Sequence, residues 1–175
     1  MNLFLESLHY TIPAIVVLAT SYLLIRQFFD KELRQQKHEL LINNQKLITS
    51  IRLQAYERMV LLLERISPEN LLTRIYVPGM TTGDIKNEAI RNIKSEFEHN
   101  LSQQVYISGK SWELIKMAKE NMIKLLNIAG NKFESKTPAT EYSKLVLQMY
   151  FNVEDPPLKV ALEHLKNEFS ETFTN

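Results

Sequence analysis

The feature that most constrains this chain is a run near its start that carries no charged side chain. No Asp, Glu, Lys or Arg occurs from Ser7 to Ile25. With Phe28 and Phe29 beyond Arg26, the apolar reach is about 22 residues, or roughly 33 Å of helix. A hydrocarbon core is about 30 Å thick, so this length is sufficient to cross it. The run therefore predicts a transmembrane helix.

The residue types within the run also favour insertion into a bilayer. Each aliphatic side chain favours transfer by about 0.3 to 0.6 kcal/mol, Arg can extend its charge to the headgroups, and Tyr suits the interface. A Pro in the first turn of a helix is harmless, because the missing N–H would have no partner there. A cleaved signal peptide fits less well, since the start MNLFLESLH has no Lys or Arg. The predicted anchor, residues 1–29, uses Tyr10, Ile12, Pro13, Ile15, Val16, Val17, Leu18, Leu23, Leu24, Ile25 and Arg26.

The distribution of basic residues predicts the sidedness of this anchor. Arg26, Lys31, Arg34 and Lys37 follow the run, and no basic residue precedes it. Positive residues stay in the cytoplasm, so we expect the N-terminus outside and the bulk of the chain inside. The predicted partner of the first helix is the lipid bilayer.

The remainder of the chain has the spacing of helices. Pro and Gly are absent from Phe29 to Ile66, which predicts one long helix with a polar stalk over residues 30–50. Beyond it, apolar residues recur at gaps of three and four, and no convincing strand alternation occurs. We therefore predict an all-α fold, in which a single transmembrane helix continues into a stalk, followed by a bundle of about five helices over residues 51–175.

Local signals predict where the later helices begin. Ser and Thr are good N-caps, and Pro is favoured at the first helical position. Pro78-Gly79 suits the central pair of a type II turn, and the helix after it is expected to reach about Val105. The predicted starts are Ser67-Pro68, Thr81 or Thr82, Ser108 or Ser111, and Thr137-Pro138.

The stalk has one pattern typical of a coiled coil. Leu41, Ile48, Ala55 and Leu62 are seven residues apart, as in one seam of a heptad repeat. Asn44 and Arg58 interrupt the companion seam, so a short self-associating stalk is possible but a long coiled coil is not supported.

Several kinds of chemistry find little support in the sequence. The chain has no Cys, which excludes disulfides and thiolate metal sites, and its net charge of +1 argues against a broad nucleic-acid-binding face. SGKS at Ser108 resembles the end of a phosphate-binding loop, but Gln104 stands where the motif needs Gly. Glu96 and His99 have a spacing used in di-iron bundles, without a second copy that could converge on them. We predict no metal, no cofactor, no catalytic residue and no evident small-molecule substrate.

The segment from Arg52 to Ile66 is the strongest candidate for a binding surface. Five consecutive apolar residues, Met59 to Leu63, cover more than one face of a helix, and charged residues flank them. A central bundle helix with internal ion pairs is the plainer interpretation, and a contact surface for a partner or a second copy is the sharper one. The predicted partner-binding residues are Arg52, Tyr56, Glu57, Arg58, Glu64, Arg65 and Trp112.

Three phrases of the sequence carry a resemblance. They are RLQAYERMVLLLERISPENLL, EFEHNLSQQVYIS and SWELIKMAKENM, which follow a short start without Lys or Arg and an apolar helix. Together they resemble an uncharacterised bacterial family of membrane-anchored helical proteins. The resemblance implies a bacterial inner-membrane setting and nothing finer; the single pass and the periplasmic N-terminus are expected from the apolar run and from the basic residues that follow it. It implies no activity and no functional residues.

These observations predict an interaction protein rather than an enzyme. We expect a membrane-anchored scaffold whose helical bundle binds a partner protein or itself. One alternative is an accessory, strut-like subunit of a larger inner-membrane complex. A second alternative is an enzyme with a carboxylate–His site at Glu96 and His99.

Overall fold

The computed structural model describes the backbone of residues 2–173 and the side chains of residues 15–173. The described residues form six α-helices and no strand. The helices are α1 (Asn2–Ile66), α2 (Pro68–Ile75), α3 (Thr82–His99), α4 (Gly109–Gly130), α5 (Ala139–Phe151) and α6 (Pro157–Phe173), with a 3₁₀-helix at Leu101–Val105. The chain divides into two compact units, Met1–Thr49 and Ser50–Asn175.

The predicted transmembrane helix requires a correction. Among the residues whose side chains are described, no helix carries an apolar stretch that could span a membrane. The described stretch from Ile15 to Ile25 is roughly 17 Å long, about half of a hydrocarbon core. Arg26 and Gln27 follow it at once, and Asp30 comes soon after.

The anchor prediction is therefore wrong for the chain as described, and the predicted inner-membrane location and sidedness are wrong with it. The predicted bilayer partner was inferred from this anchor alone and is left without support. The side chains of Tyr10, Ile12 and Pro13 lie outside the described residues. The other predicted anchor residues have described side chains and do not belong to a membrane-spanning stretch. They are Ile15, Val16, Val17, Leu18, Leu23, Leu24, Ile25 and Arg26.

The first unit is a single stretch of helix α1. Every side chain from Ile15 to Thr49 is exposed, including many large apolar ones. The absence of Pro and Gly favours a helix over this stretch. Its apolar side chains are not covered by any described residue.

The second unit has one hydrophobic core, built from the end of α1 and helices α2 to α6. Helical spacing places the same face of each helix inward. In α3 the buried apolar residues are Ile85, Ala89, Ile93 and Phe97, and in α4 they include Ile115, Ala118, Met122, Leu126 and Ala129. Tyr142 of α5 is fully buried and donates a 2.9 Å hydrogen bond to the carbonyl of Leu126.

Side-chain caps fix the starts of two helices in this unit, α3 and α4. Thr81 forms a capping box with Asp84, and the Ser108 hydroxyl accepts the amide of Ser111. Gly79 has a φ of +92°, the left-handed conformation that a type II turn requires. One predicted end is wrong, because α3 stops at His99 and the chain continues to Val105 as a 3₁₀-helix.

Half of the heptad spacing seen in the sequence belongs to the core of the second unit, which agrees with the expectation that no long coiled coil forms. Ala55 and Leu62 are buried in the core of the second unit, 0% and 1% exposed. Their burial removes them from any contact with a second chain, so this seam cannot run the full length from Leu41.

Candidate functional site

The end of α1 buries one face and leaves another open. Within the run Met59 to Leu63, helical geometry directs Met59, Leu62 and Leu63 into the core. Leu61 is left 52% exposed, and Val60 is half-buried. The apolar side chains of Val60 and Leu61 on the outer face are therefore not buried in the core.

This outer face forms one wall of a groove of about 440 Å³. The other wall is the end of α6, where Leu165 and Phe169 stand four residues apart, on one side of that helix. We call it the α1–α6 groove. Its lining is Leu53, Tyr56, Glu57, Val60, Leu61, Leu165, Lys166 and Phe169.

The groove has an apolar floor and a charged residue on each wall. Glu57 belongs to the α1 wall and Lys166 to the α6 wall, and both side chains are exposed. Apolar walls with a few polar groups at the edge are typical of surfaces that bind another protein. Because Glu57 and Lys166 have opposite charges, the two walls of the groove differ electrostatically.

A carboxylate of α6, that of Glu168, bonds to residues of α1 and of the start of α4. Glu168 accepts hydrogen bonds from the hydroxyls of Tyr56, Ser108 and Ser111 and from the backbone N–H of Ser108, the last at 3.0 Å. Its side chain is 15% exposed. Because Tyr56 lies on α1 and Ser108 caps α4, one carboxylate joins three helices.

The hydrogen bonds to Glu168 shift its acidity. Burial opposes ionisation, but the bonds from Ser108, Ser111 and Tyr56 outweigh it and lower the pKa of Glu168 to about 2. The pKa of the Tyr56 phenol is raised, first by its burial and then by its hydrogen bond to Glu168 and the charge of that group. The carboxylate is therefore charged and the phenol neutral at neutral pH.

Aromatic rings pack beside this carboxylate. The ring of Tyr56 makes edge contacts with Phe169 at 5.7 Å and with Phe173 at 5.8 Å between centroids. Arg52 donates a 3.3 Å hydrogen bond to the carbonyl of Tyr106 and lies 5.8 Å from the Phe173 ring. Arg52 and Tyr56 thus hold the last turns of α6 against α1 rather than pointing outward.

The other predicted partner-binding residues fall in different places. Glu57 lines the groove, and Arg58 and Glu64 are exposed outside it. Arg65 forms a 2.8 Å ion pair with Glu96 of α3. Trp112 is only 9% exposed and stacks on Phe97 at 5.1 Å, so it serves the core. Whether these residues contact a partner stays a prediction.

The residues considered for a carboxylate–His site are engaged separately. Glu96 pairs with Arg65, whereas the Nδ1 atom of His99 lies 2.7 Å from the carbonyl oxygen of Ser95. Within the described part of the chain, no three His, Asp or Glu side chains form a group that could hold a metal ion.

The α6 wall and Glu168 were not among the residues predicted to bind a partner. The signal for the wall was present, since Leu165 and Phe169 recur at helical spacing, but the same pattern also describes a core face. No local pattern points to Glu168, because its partners lie about 60 and 112 residues away along the chain.

A second cavity of about 350 Å³ lies between α4 and the segment that joins α5 to α6. Met122, Leu125 and Ile128 of α4 form one side, and Pro156 and Pro157 lie on the other. It contains none of the residues predicted to bind a partner, and we give the α1–α6 groove preference.

Comparison with known proteins adds the family. Residues 2–172, nearly the whole chain, match the family described as a family of unknown function, DUF7935. The chain belongs to this family. Membership in DUF7935 confirms the resemblance to an uncharacterised family, but the family description assigns no activity and gives no support to membrane anchoring. No curated protein and no solved structure matches the chain.

Proposed function

We propose that this member of DUF7935 is an interaction protein that binds an amphipathic helix of a partner protein in the α1–α6 groove. The observation that carries the proposal is the groove itself, an apolar trough with Leu53 and Leu61 47% and 52% exposed beside a well-packed core. Apolar grooves between helices are a recurrent docking site for helices that present apolar residues at i, i+3 or i+4, and i+7.

The charges on the walls define the partner further. Glu57 on the α1 wall favours a basic residue on that flank of the bound helix, and Lys166 on the α6 wall favours an acidic one. Rim charges contribute more to orientation and association rate than to affinity. The partner helix is therefore apolar on one face, basic along one flank and acidic along the other.

The exposed area sets the scale of the affinity. Full burial of a Leu contributes about 1.5–3 kcal/mol, and only about half of Leu53 and of Leu61 remains to be covered. Binding also costs translational and side-chain freedom. We expect a dissociation constant on the order of micromolar for a single helix.

The test uses a library of helical peptides selected against the purified full chain. We expect selected peptides to share the apolar spacing and the two charged flanks. Leu61→Asp should weaken their binding by about tenfold or more, since a carboxylate would be buried against an apolar face. Glu57→Lys should weaken the binding of these peptides about two- to fivefold. A selection repeated on this variant should yield peptides with an acidic residue on that flank.

The matched control is Leu101→Asp, which introduces the same charge at another exposed Leu of the second unit, outside the groove. It should leave peptide binding unchanged. Selected peptides that bind Leu61→Asp as tightly as the parent chain would contradict the proposed site.

A further inference from the structure

The part of α1 in the first unit carries an apolar seam that differs from the predicted one. Leu33, Leu40 and Leu47 are seven residues apart, and they are 54%, 62% and 62% exposed. Phe29, also exposed, precedes Leu33 by four residues. A helix in a folded protein gains most of its stability from packing of its apolar face, and no described residue covers this seam.

The companion positions of these leucines in a heptad are mostly polar. With Leu33, Leu40 and Leu47 as a positions, the d positions are Phe29, Gln36 and Asn43. Arg26 occupies the preceding a position and limits the seam, which runs from Phe29 to Leu47, roughly 27 Å of helix.

The polar d residues favour a second copy of the same helix in the same direction. In a parallel, in-register pair each layer faces its own equivalent, so Leu packs on Leu and the amides of Gln36 and Asn43 meet amides that can hydrogen-bond them. An antiparallel pair places a positions opposite d positions, so that Leu40 faces Gln36. That alignment buries amide groups against apolar side chains without partners.

The flanking charges favour the same alignment. In parallel helices a g position of one chain faces the next e position of the other. Here Glu32 at g faces Lys37 at e, and the pair occurs twice by symmetry. Glu39 at the next g position faces the uncharged Asn44, so this alignment brings no like charges together.

We propose that residues 29–47 associate with the same residues of a second copy as a parallel, in-register coiled coil. The interface is self-complementary, as a two-fold pair requires. It does not use the α1–α6 groove, so it can fail while the proposed function stands, and the reverse also holds.

Cysteine crosslinking of the full chain provides the test, because the natural sequence has no Cys. Gln36→Cys places a thiol in the seam, where the parallel alignment brings two equivalent residues together. His38→Cys is the matched control, since His38 is exposed and lies on the opposite side of the helix. Under mild oxidation we expect Gln36→Cys to convert largely to a disulfide-linked dimer, and His38→Cys to remain monomeric in denaturing gels.

Sedimentation of the Cys-free chain provides a second readout. Leu33→Asp with Leu40→Asp should raise the dissociation constant of the dimer by at least about a hundredfold, roughly tenfold for each of the two leucine layers. Ile42→Asp, at an exposed apolar position outside the seam, should leave it within about twofold. Equal crosslinking of the two Cys variants, or a monomer at tens of micromolar, would overturn the proposal.

Discussion

At the scale of single residues, Glu168 is the group on which most contacts converge. It accepts hydrogen bonds from three hydroxyls and one backbone N–H, contributed by α1 and by the start of α4. The Nε2 atom of His164, one turn earlier on α6, lies 3.8 Å from it. A charged acceptor makes each of these bonds stronger than a neutral one would.

Glu168→Gln should therefore destabilise the protein although it preserves the shape of the side chain. The amide loses the charge that strengthens four hydrogen bonds, and its NH₂ group faces donors instead of acceptors. We expect a loss on the order of 2 kcal/mol in the free energy of unfolding, measured by urea denaturation. Glu171→Gln, an exposed change on the same helix, should shift the midpoint very little, and equal shifts would rule out the assigned role.

The same carboxylate predicts a dependence of stability on pH. The pKa of Glu168 is lowered by its hydrogen bonds from an ordinary 4.5 to about 2, so between these values the unfolded chain binds more protons than the folded one. The contribution is fully present above about 4.5 and is lost as the pH falls through about 2. Urea titrations across this range should show a shallower decline for Glu168→Gln, with Glu171→Gln following the parent.

Residue-level reasoning from the sequence found part of the groove. Glu57 and the excess of apolar residues from Met59 to Leu63 were visible because a helix cannot bury all of its faces in one core. Arg52 and Trp112 looked like surface candidates but make contacts that depend on which helices lie beside them. Tyr56, a third candidate, lines the groove and also bonds to Glu168. Local sequence patterns do not show which helices, distant along the chain, pack against each other.

At the scale of elements, periodicity and caps predicted most helices of the second unit. Thr81, Ser108 and the Pro78-Gly79 turn act as their residue types suggest. The end of α3 was missed because Leu101 and Val105 continue the apolar spacing, although the chain there adopts a tighter 3₁₀-helix. Both Leu101 and Val105 are exposed, so neither side chain packs in the core as the spacing suggested.

The turn between α2 and α3 can be tested at Gly79. Its φ of +92° is unfavourable for any residue with a Cβ atom, although no atom lies within 4 Å of where that Cβ would stand. Gly79→Ala should thus lower the free energy of unfolding by about 1–2 kcal/mol through backbone strain alone. Thermal or urea unfolding measures the change.

Gly109→Ala is the control for this prediction, since its added methyl group also meets open space but its φ is not positive. Located at the first position of α4, it should be neutral or slightly stabilising. A loss at Gly109 as large as that at Gly79 would show that the conformation of the turn is not the cause.

At the scale of the whole molecule, pairing through residues 29–47 would make the α1–α6 groove bivalent. A chain that pairs through residues 29–47 carries two copies of the α1–α6 groove on one assembly. Binding of the second groove to a neighbouring target is then intramolecular, with an effective concentration that raises the overall affinity by about 10²–10⁴ when both sites can be reached. Neither the groove nor the seam needs to bind tightly by itself.

This arrangement predicts that the seam matters only for clustered targets. Leu33→Asp with Leu40→Asp should leave the affinity for a groove-selected peptide free in solution unchanged, because the groove is intact. On a surface densely coated with the same peptide, it should accelerate dissociation by about tenfold or more, since each groove then releases alone. Surface plasmon resonance at high and low peptide density measures both cases, and Ile42→Asp should behave like the parent chain at each density. If the seam variant dissociates at the parental rate from the dense surface, pairing through residues 29–47 contributes no avidity, and the groove acts as an independent single site.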